Sequence, residues 1–374
     1  MKIAIVCYPT FGGSGVIATE LGLSLSKEKN EVHFITYKQP VRLESINPLV
    51  NFHEVVIPKY DLFKYEPYEL ALSNKLVEVI KRFKIDLMHV HYAIPHAYAA
   101  YMAQKMLHDQ GLKVPIITTL HGTDITLVGN LPVYKQSVNF SINNSDYITT
   151  VSESLKNDTL KFFDINKEIT VIPNFIDFTK YEHKAEPCER SFIAKKNEII
   201  ITHISNFRPL KRVMDVLRIF KRLRSKLNVR LIMIGDGPDK EKALKYVNKH
   251  KINRNVVFLG NSNEIDKILC FTDLFLLPSE QESFGLAALE AMVHKVPVVC
   301  SDAGGLSEVV ENSVSGFLCA VGDINDMTKR SFEILSDQNK HAEFKENAFK
   351  RARKFDIKNI LPKYINIYRK AIES

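Results

Sequence analysis

The stretch Leu274-Phe275-Leu276-Leu277-Pro278-Ser279-Glu280-Gln281-Glu282-Ser283-Phe284-Gly285-Leu286-Ala287-Ala288-Leu289-Glu290-Ala291 decides how this chain is read. Leu274–Leu277 is a short apolar run, the signal of a buried strand. Pro278 and the polar residues after it form a turn. From about Ser283–Phe284 onward the apolar residues take helical spacing. Strand, turn and helix in so short a span is the unit of a parallel sheet with helical crossovers. The first amides of such a helix lack partners within it, and its dipole places roughly half a positive charge there. That end suits a diphosphate. Glu282 stands just before it and Glu290 about two turns inside, a helical rise of roughly 12 Å. Two acceptors flanking an anion site at that distance match the ribose and hexose of a nucleotide-sugar. Two surface glutamates on a solvated helix are the plainer alternative, and on these residues alone it stays open. Gly285, Ala287 and Ala288 favour close packing instead.

The same alternation runs outward in both directions. Toward the amino terminus, Ile3–Tyr8, Val32–Thr36, Phe52–Ile57, Leu87–His91, Val114–Leu120, Tyr147–Val151 and Ile169–Ile172 read as strands, with helical stretches such as Val16–Lys29 and Leu70–Phe83 between them. The pattern restarts with Ile199–Ile204, Leu231–Ile234, Val256–Leu259, Leu274–Leu277, Val296–Cys300 and Gly316–Leu318, and the carboxyl-terminal stretch reads as helix. The expected fold is α/β, with two Rossmann-like doubly wound domains facing a cleft. Domain 1–185 precedes domain 186–374, with the boundary in the polar stretch Tyr181–Asn197 and the last helix packing back on the first domain. Ligands are expected at the carboxyl ends of the strands.

Composition excludes several classes. The chain has 374 residues, 45% hydrophobic and 25% charged, with a formal net charge of +8. That is a globular composition with room for two cores. The charge favours an anionic partner, but no zinc-finger spacing or arginine-rich arm points to nucleic acid. No run approaches the roughly 18 apolar residues of a membrane span, so stable membrane insertion is not expected. Five cysteines without a C-x-x-C pair give no disulfide framework or zinc site, and a reduced cytoplasmic setting is expected. A homo-oligomer is compatible with the sequence, which does not set the state.

Four further strand-end segments carry chemistry. Ser205-Asn206-Phe207-Arg208-Pro209-Leu210-Lys211-Arg212 offers cations to a diphosphate leaving group. Gly12-Gly13-Ser14-Gly15 opens a helix and permits close backbone approach, although Gly-x-Gly-x-x-Gly is not met. Thr118-Thr119-Leu120-His121-Gly122-Thr123-Asp124 places a histidine at a strand end. His89, His91 and His96 raise the question of a metal, and no carboxylate or cysteine completes a set, so none is expected. Asp302-Ala303-Gly304-Gly305 and Gly235-Asp236-Gly237-Pro238 are turns that serve a donor site or only the fold.

Glu282-Ser283-Phe284-Gly285, followed by Glu290, resembles the hallmark of family 4 retaining glycosyltransferases of the two-Rossmann-domain (GT-B) type, and the resemblance spans nearly the whole chain. It implies that Glu282 contacts the transferred hexose and Glu290 the ribose. Phe284, Gly285, Leu286 and Gly13 are implied to lie along the diphosphate. His121 is implied beside the sugar near its 6-hydroxyl, which with Glu282 and Lys211 makes the catalytic set. Similar enzymes carry an arginine and, five residues on, a lysine in the loop at 205–212. Lys211 matches the lysine, but Asn206 stands where the arginine is expected and Arg208 follows two residues later. Cys7-Tyr8-Pro9, His91-Tyr92-Ala93, Thr119–Thr126 and Ser205–Arg208 resemble a subgroup of the family that transfers N-acetylglucosamine from UDP-N-acetylglucosamine to L-malate. That implies acceptor binding by Ser14, Lys64, Tyr92 and Thr119.

Transfer to a lipid or another small acceptor is an alternative, and salt-sensitive vesicle binding would favour it. A UDP-N-acetylglucosamine 2-epimerase is another, revealed by donor conversion without acceptor. A non-catalytic module would bind UDP tightly with no turnover. No cofactor is expected, since the UDP-sugar is a substrate. Turnover is expected to be the same with and without excess chelator; loss of activity rescued by a divalent ion would refute metal independence.

Overall fold

The computed structural model describes residues 1–10, 12–43, 47–59, 61, 63–182, 190–195, 197–262 and 264–374. These form two compact units, Met1–Phe175 with Ile357–Ser374, and Ile176–Asp356. The boundary expected at 185/186 lies outside the described residues. In the structure the chain has already entered the second unit at Ile176. Its amide donates to the Phe355 carbonyl at 3.0 Å, and the Phe178 ring packs edge-on to Phe349. The apolar anchors Phe178 and Ile176 decide this crossing, rather than the polar composition further on.

The first unit holds β1 (Lys2–Val6), β2 (Glu31–Thr36), β3 (Val50–Glu54), β4 (Leu87–His91), β5 (Ile116–Leu120), β6 (Tyr147–Thr150) and β7 (Ile169–Val171). They form one parallel sheet in the order β3-β2-β1-β4-β5-β6-β7. The second unit holds β8 (Ile199–Ile204), β9 (Val229–Ile234), β10 (Val256–Gly260), β11 (Leu274–Leu277), β12 (Val298–Ser301) and β13 (Gly316–Cys319). Their order is β10-β9-β8-β11-β12-β13, again parallel. Each apolar run read as a strand is one. The inner strands β4, β5, β11 and β12 are buried along their whole length, because helices cover both faces of a parallel sheet. The order reverses between β1 and β4 and between β8 and β11, and ligands of such sheets sit at the carboxyl ends beside these switch points.

In the second unit, Val213, Val216, Leu217, Phe220 and Leu223 recur at helical spacing on the helix Val213–Arg224 and bury against Leu231, Leu274 and Leu276. In the first unit the last helix, Ile357–Glu373, buries Ile360, Leu361, Tyr364, Ile367 and Tyr368. Its Tyr368 hydroxyl lies 2.7 Å from Nδ1 of His89. Nε2 of His89 lies 2.7 Å from the Thr119 hydroxyl, which meets the Thr149 hydroxyl at 2.6 Å. This chain of buried polar groups ties the last helix to β4, β5 and β6. Cys7, Cys300 and Cys319 are buried free thiols. Among the described residues no helix is long and apolar enough to cross a membrane.

Burial lowers the His89 pKa from 6.5 to about 3, and neighbouring His121 adds to the effect. The unfolded imidazole therefore binds a proton between those values and the folded one does not. Stability contributed by the neutral ring is present above pH 6.5 and is lost as pH falls toward 3. One such group gives a slope of about 1.4 kcal/mol per pH unit in that window. Urea midpoints should fall between pH 7 and pH 4.5, and less steeply for His89→Gln; equal slopes would show that His89 is not held neutral.

Candidate active site

In the second unit, four strand-end loops lock together. After β8, His203 Nδ1 donates to the Leu276 carbonyl at 2.8 Å, and its Nε2 meets the Ser205 hydroxyl at 2.8 Å. The Phe207 amide donates to that hydroxyl oxygen at 3.3 Å. Phe207 is fully buried at φ 40° and anchors the loop below exposed Asn206 and Arg208. After β9, Gly235 and Gly237 lie against it: a Cβ on either would come within 1.7 and 2.0 Å of the Ser205 and Asn206 carbonyl oxygens. After β11, the Glu280 amide donates to the Leu210 carbonyl at 2.7 Å. After β12, the Gly305 amide donates to the Glu282 carbonyl at 2.9 Å.

This framework brings Lys211 to Glu282. The ammonium donates to Oε1 of Glu282 at 2.6 Å, and the Ser279 hydroxyl donates to the same oxygen at 2.8 Å. Both charged side chains are partly exposed, at 18% and 12%. The resemblance assigns them to different parts of a donor; in the structure they hold each other. Ser279 went unremarked. It is fully buried three residues before Glu282, and its place between Pro278 and the glutamates is the signal that marks it. Arg212, the last cation of the segment 205–212, is engaged elsewhere. It lies at φ 50° and bonds Asp215 at 2.6 Å, which spends its charge within the fold.

The helix after β11 starts later than the sequence pattern places it. It spans Leu286–Val293, with Gly285 at its N-cap at φ 98° and no side-chain cap. Glu282 therefore stands in the turn, and a helical rise does not measure its distance from Glu290. Glu290 is the fifth residue of the helix and half-buried. The helix start at Leu286, which has no side-chain cap, and the Lys211 ammonium bring positive charge to this edge, with the Glu282 carboxylate beside the ammonium. Such an edge receives an anion and offsets charge that grows on it.

In the first unit the loops after β1, β4 and β5 gather polar and aromatic groups. Gly15, in the first turn of the helix Gly13–Lys27, lets that helix press on the β1 loop: a Cβ there would meet the Tyr8 and Thr10 carbonyl oxygens at 2.5 Å. The Ser14 hydroxyl lies 2.8 Å from the Tyr92 hydroxyl. The Tyr92 ring packs 5.2 Å from His121 and 5.2 Å from Tyr8, centroid to centroid. His121 Nε2 and His91 Nδ1 share a hydrogen bond of 2.8 Å. His96 donates from Nδ1 to the His91 carbonyl at 2.5 Å. Burial drives these imidazoles toward neutrality, His121 to about 3 and His96 to about 4. Neutral His121 serves as a hydrogen-bonding group, not as a cation.

Ser14, Tyr92 and His121 thus come together. Thr119 is fully buried, with its hydroxyl turned to His89 and Thr149. Lys64 lies on an exposed segment with its ammonium 5.6 Å over the Tyr65 ring. Gly13 is exposed at the start of its helix. Among the described residues no group of three or more His, Cys, Asp or Glu side chains could hold a metal ion.

The two units and their loops define a glycosyltransferase of the GT-B type. Residues 187–351 match the family model described as "Glycosyl transferases group 1", and residues 11–180 the one described as "Glycosyltransferase Family 4". N-acetyl-alpha-D-glucosaminyl L-malate synthase of Bacillus anthracis is 41% identical over 370 residues, covering 98% of this chain and 96% of that protein. The chain belongs to glycosyltransferase family 4. Among solved structures, sucrose-phosphate synthase from Thermosynechococcus elongatus superposes with a TM-score of 0.81 at 18% identity, covering 99% of this chain and 98% of the other. The Anabaena protein HepE, in complex with UDP and glucose, gives 0.80 at 20% identity, covering 98% and 99%. These two show the shared fold.

Gly304 has φ 56°, and a Cβ there would lie 2.0 Å from the Glu282 carbonyl oxygen. Gly304→Ala must push the Glu282 turn aside. A displacement near 1 Å lowers turnover by about 100-fold; wild-type turnover in this variant would show that Glu282 placement is not what matters.

Proposed function

We propose that the protein transfers N-acetylglucosamine from UDP-N-acetylglucosamine to the hydroxyl of L-malate, with retention at the anomeric carbon, as the first step of bacillithiol biosynthesis in the cytoplasm. The observation that carries this reading is the 41% identity to the Bacillus anthracis synthase, which extends over 98% of the chain and so includes the acceptor-side unit as well as the donor-side one.

The donor binds the second unit. Glu290 takes the ribose hydroxyls, and the amides from Phe284 to Leu286 receive the diphosphate. Lys211 exchanges its contact with Glu282 for a phosphate oxygen, which leaves Glu282 to accept from hexose hydroxyls. Asn206 and Arg208 complete the phosphate side in place of the arginine that similar enzymes carry. As the bond from the anomeric carbon to the UDP oxygen breaks, negative charge grows on the diphosphate, and Lys211, Arg208 and the helix amides stabilise it. The malate hydroxyl forms the new carbon–oxygen bond on the same face and passes its proton to the departing phosphate oxygen. Ser14 and Tyr92 orient the acceptor, with His121 against the sugar. The buried Ser279 hydroxyl donates to one oxygen of Glu282, which supports an orienting role over a covalent one.

UDP release measured across an acceptor panel tests the assignment. L-malate should raise the rate well above the acceptor-free rate, and the product should keep the donor's anomeric configuration by NMR. No difference with malate would sink the malate assignment and leave the family membership standing.

A further inference from the structure

We propose that Asp124 is a positioning residue for acceptor recognition, the clamp that holds the turns after β4 and β5 in register and so places Tyr92 against His121. The inference rests on the reading of Tyr92 and His121 as groups facing acceptor and sugar. Asp124 itself is only 2% exposed and touches neither substrate. Its Oδ2 accepts from the Ala93 amide at 3.0 Å, and its Oδ1 from the Gly122 amide at 2.9 Å and the His121 amide at 3.2 Å. One side chain therefore bonds the residue after Tyr92 and both residues of the His121-Gly122 turn.

One of the conformations it holds is costly. Tyr92 has φ 89° and ψ 136°, a region that L residues with side chains rarely occupy. Gly122 has φ 111°, which glycine adopts without that cost. Such backbone persists only where its surroundings over-determine it. The Tyr92 amide donates to the Thr119 carbonyl at 2.9 Å, and the Ala97 amide to the Tyr92 carbonyl at 3.1 Å. Asp124 supplies the third constraint, through Ala93. The carboxylate is itself expensive, since burial opposes its charge and the groups that favour the charge are backbone amides. Burying a charge opposes its solvation, and here the Ala93, Gly122 and His121 amides offset that. The turns it holds are those that carry Tyr92 and His121, which locates the benefit in the site.

Asp124→Asn separates clamp from bulk. The Asn oxygen still serves the His121 and Gly122 amides, but its NH2 faces the Ala93 amide, donor against donor. The expected result is an acceptor KM at least 10-fold higher, with the Kd for UDP unchanged because UDP binds the other unit. Amide exchange at Ala93 should also quicken at least 10-fold. Wild-type acceptor KM in a variant whose Ala93 exchange has quickened would overturn the functional role, and unchanged exchange would overturn the clamp. Should Asp124→Asn fail to fold, Asp124→Ser, which keeps one short acceptor, is read the same way. In the wild-type protein the Ala93 and Gly122 amides should exchange as slowly as core amides, and rapid exchange there would also overturn the clamp. If wild-type protein does not use L-malate, the acceptor assignment fails by itself. The exchange measurements still decide the clamp, and the KM comparison moves to whichever acceptor supports UDP release.

Discussion

The strand-end loops of the second unit depend on one close backbone approach. The Gly304-Gly305 turn after β12 lies directly on the Glu282 turn after β11, near enough that no side chain fits between them. The Gly305 amide closes the contact on the Glu282 carbonyl. Because β11 and β12 are neighbours in the sheet, this contact turns sheet geometry into the position of one carboxylate. The Lys211 loop is joined to the same turn by the Glu280 amide, so cation and carboxylate meet at 2.6 Å. A packed arrangement of this kind moves as a unit or not at all, since interiors have few voids to yield into.

The first unit solves the same problem with a different device. Its strand-end turns are held by hydrogen bonds to a buried carboxylate and by a ladder of hydroxyls and imidazoles running from Thr149 to Tyr368. Both units combine glycines that let backbones touch with polar side chains that bridge them, and the buried carboxylate and the hydroxyl–imidazole ladder belong to the first. A diphosphate is met by amides and fixed cations, which require exact backbone. A small hydroxy acid is met by hydroxyls and rings, which require fixed rotamers.

Much of this was legible in advance. The strands follow from apolar runs bounded by turns, and the helices from their spacing, both local properties. Glu282, Lys211 and His121 stand out because they are charged or titratable residues in the loops that follow apolar strands, at the ligand edge of a parallel sheet. The reading was less successful wherever it needed to know which face a side chain took. Thr118 and Thr119 are both fully buried. Helices cover both faces of the sheet, so alternation along β5 does not separate an inward hydroxyl from an outward one. The late start of the helix at Leu286 escaped for a related reason: Gly285 at φ 98° breaks a pattern that spacing alone would carry through.

By itself, then, the sequence determined two α/β units, their strands, and the loops on which chemistry gathers, because each depends on residues close in the chain. Only the tertiary structure decided that Lys211 pairs with Glu282, that Thr119 turns to His89, that Asp124 reaches Ala93 and that Ile176 already belongs to the second unit. Those pairings join residues distant in sequence through hydrogen bonds of fixed length, and no local pattern encodes which distant partner a polar group will meet.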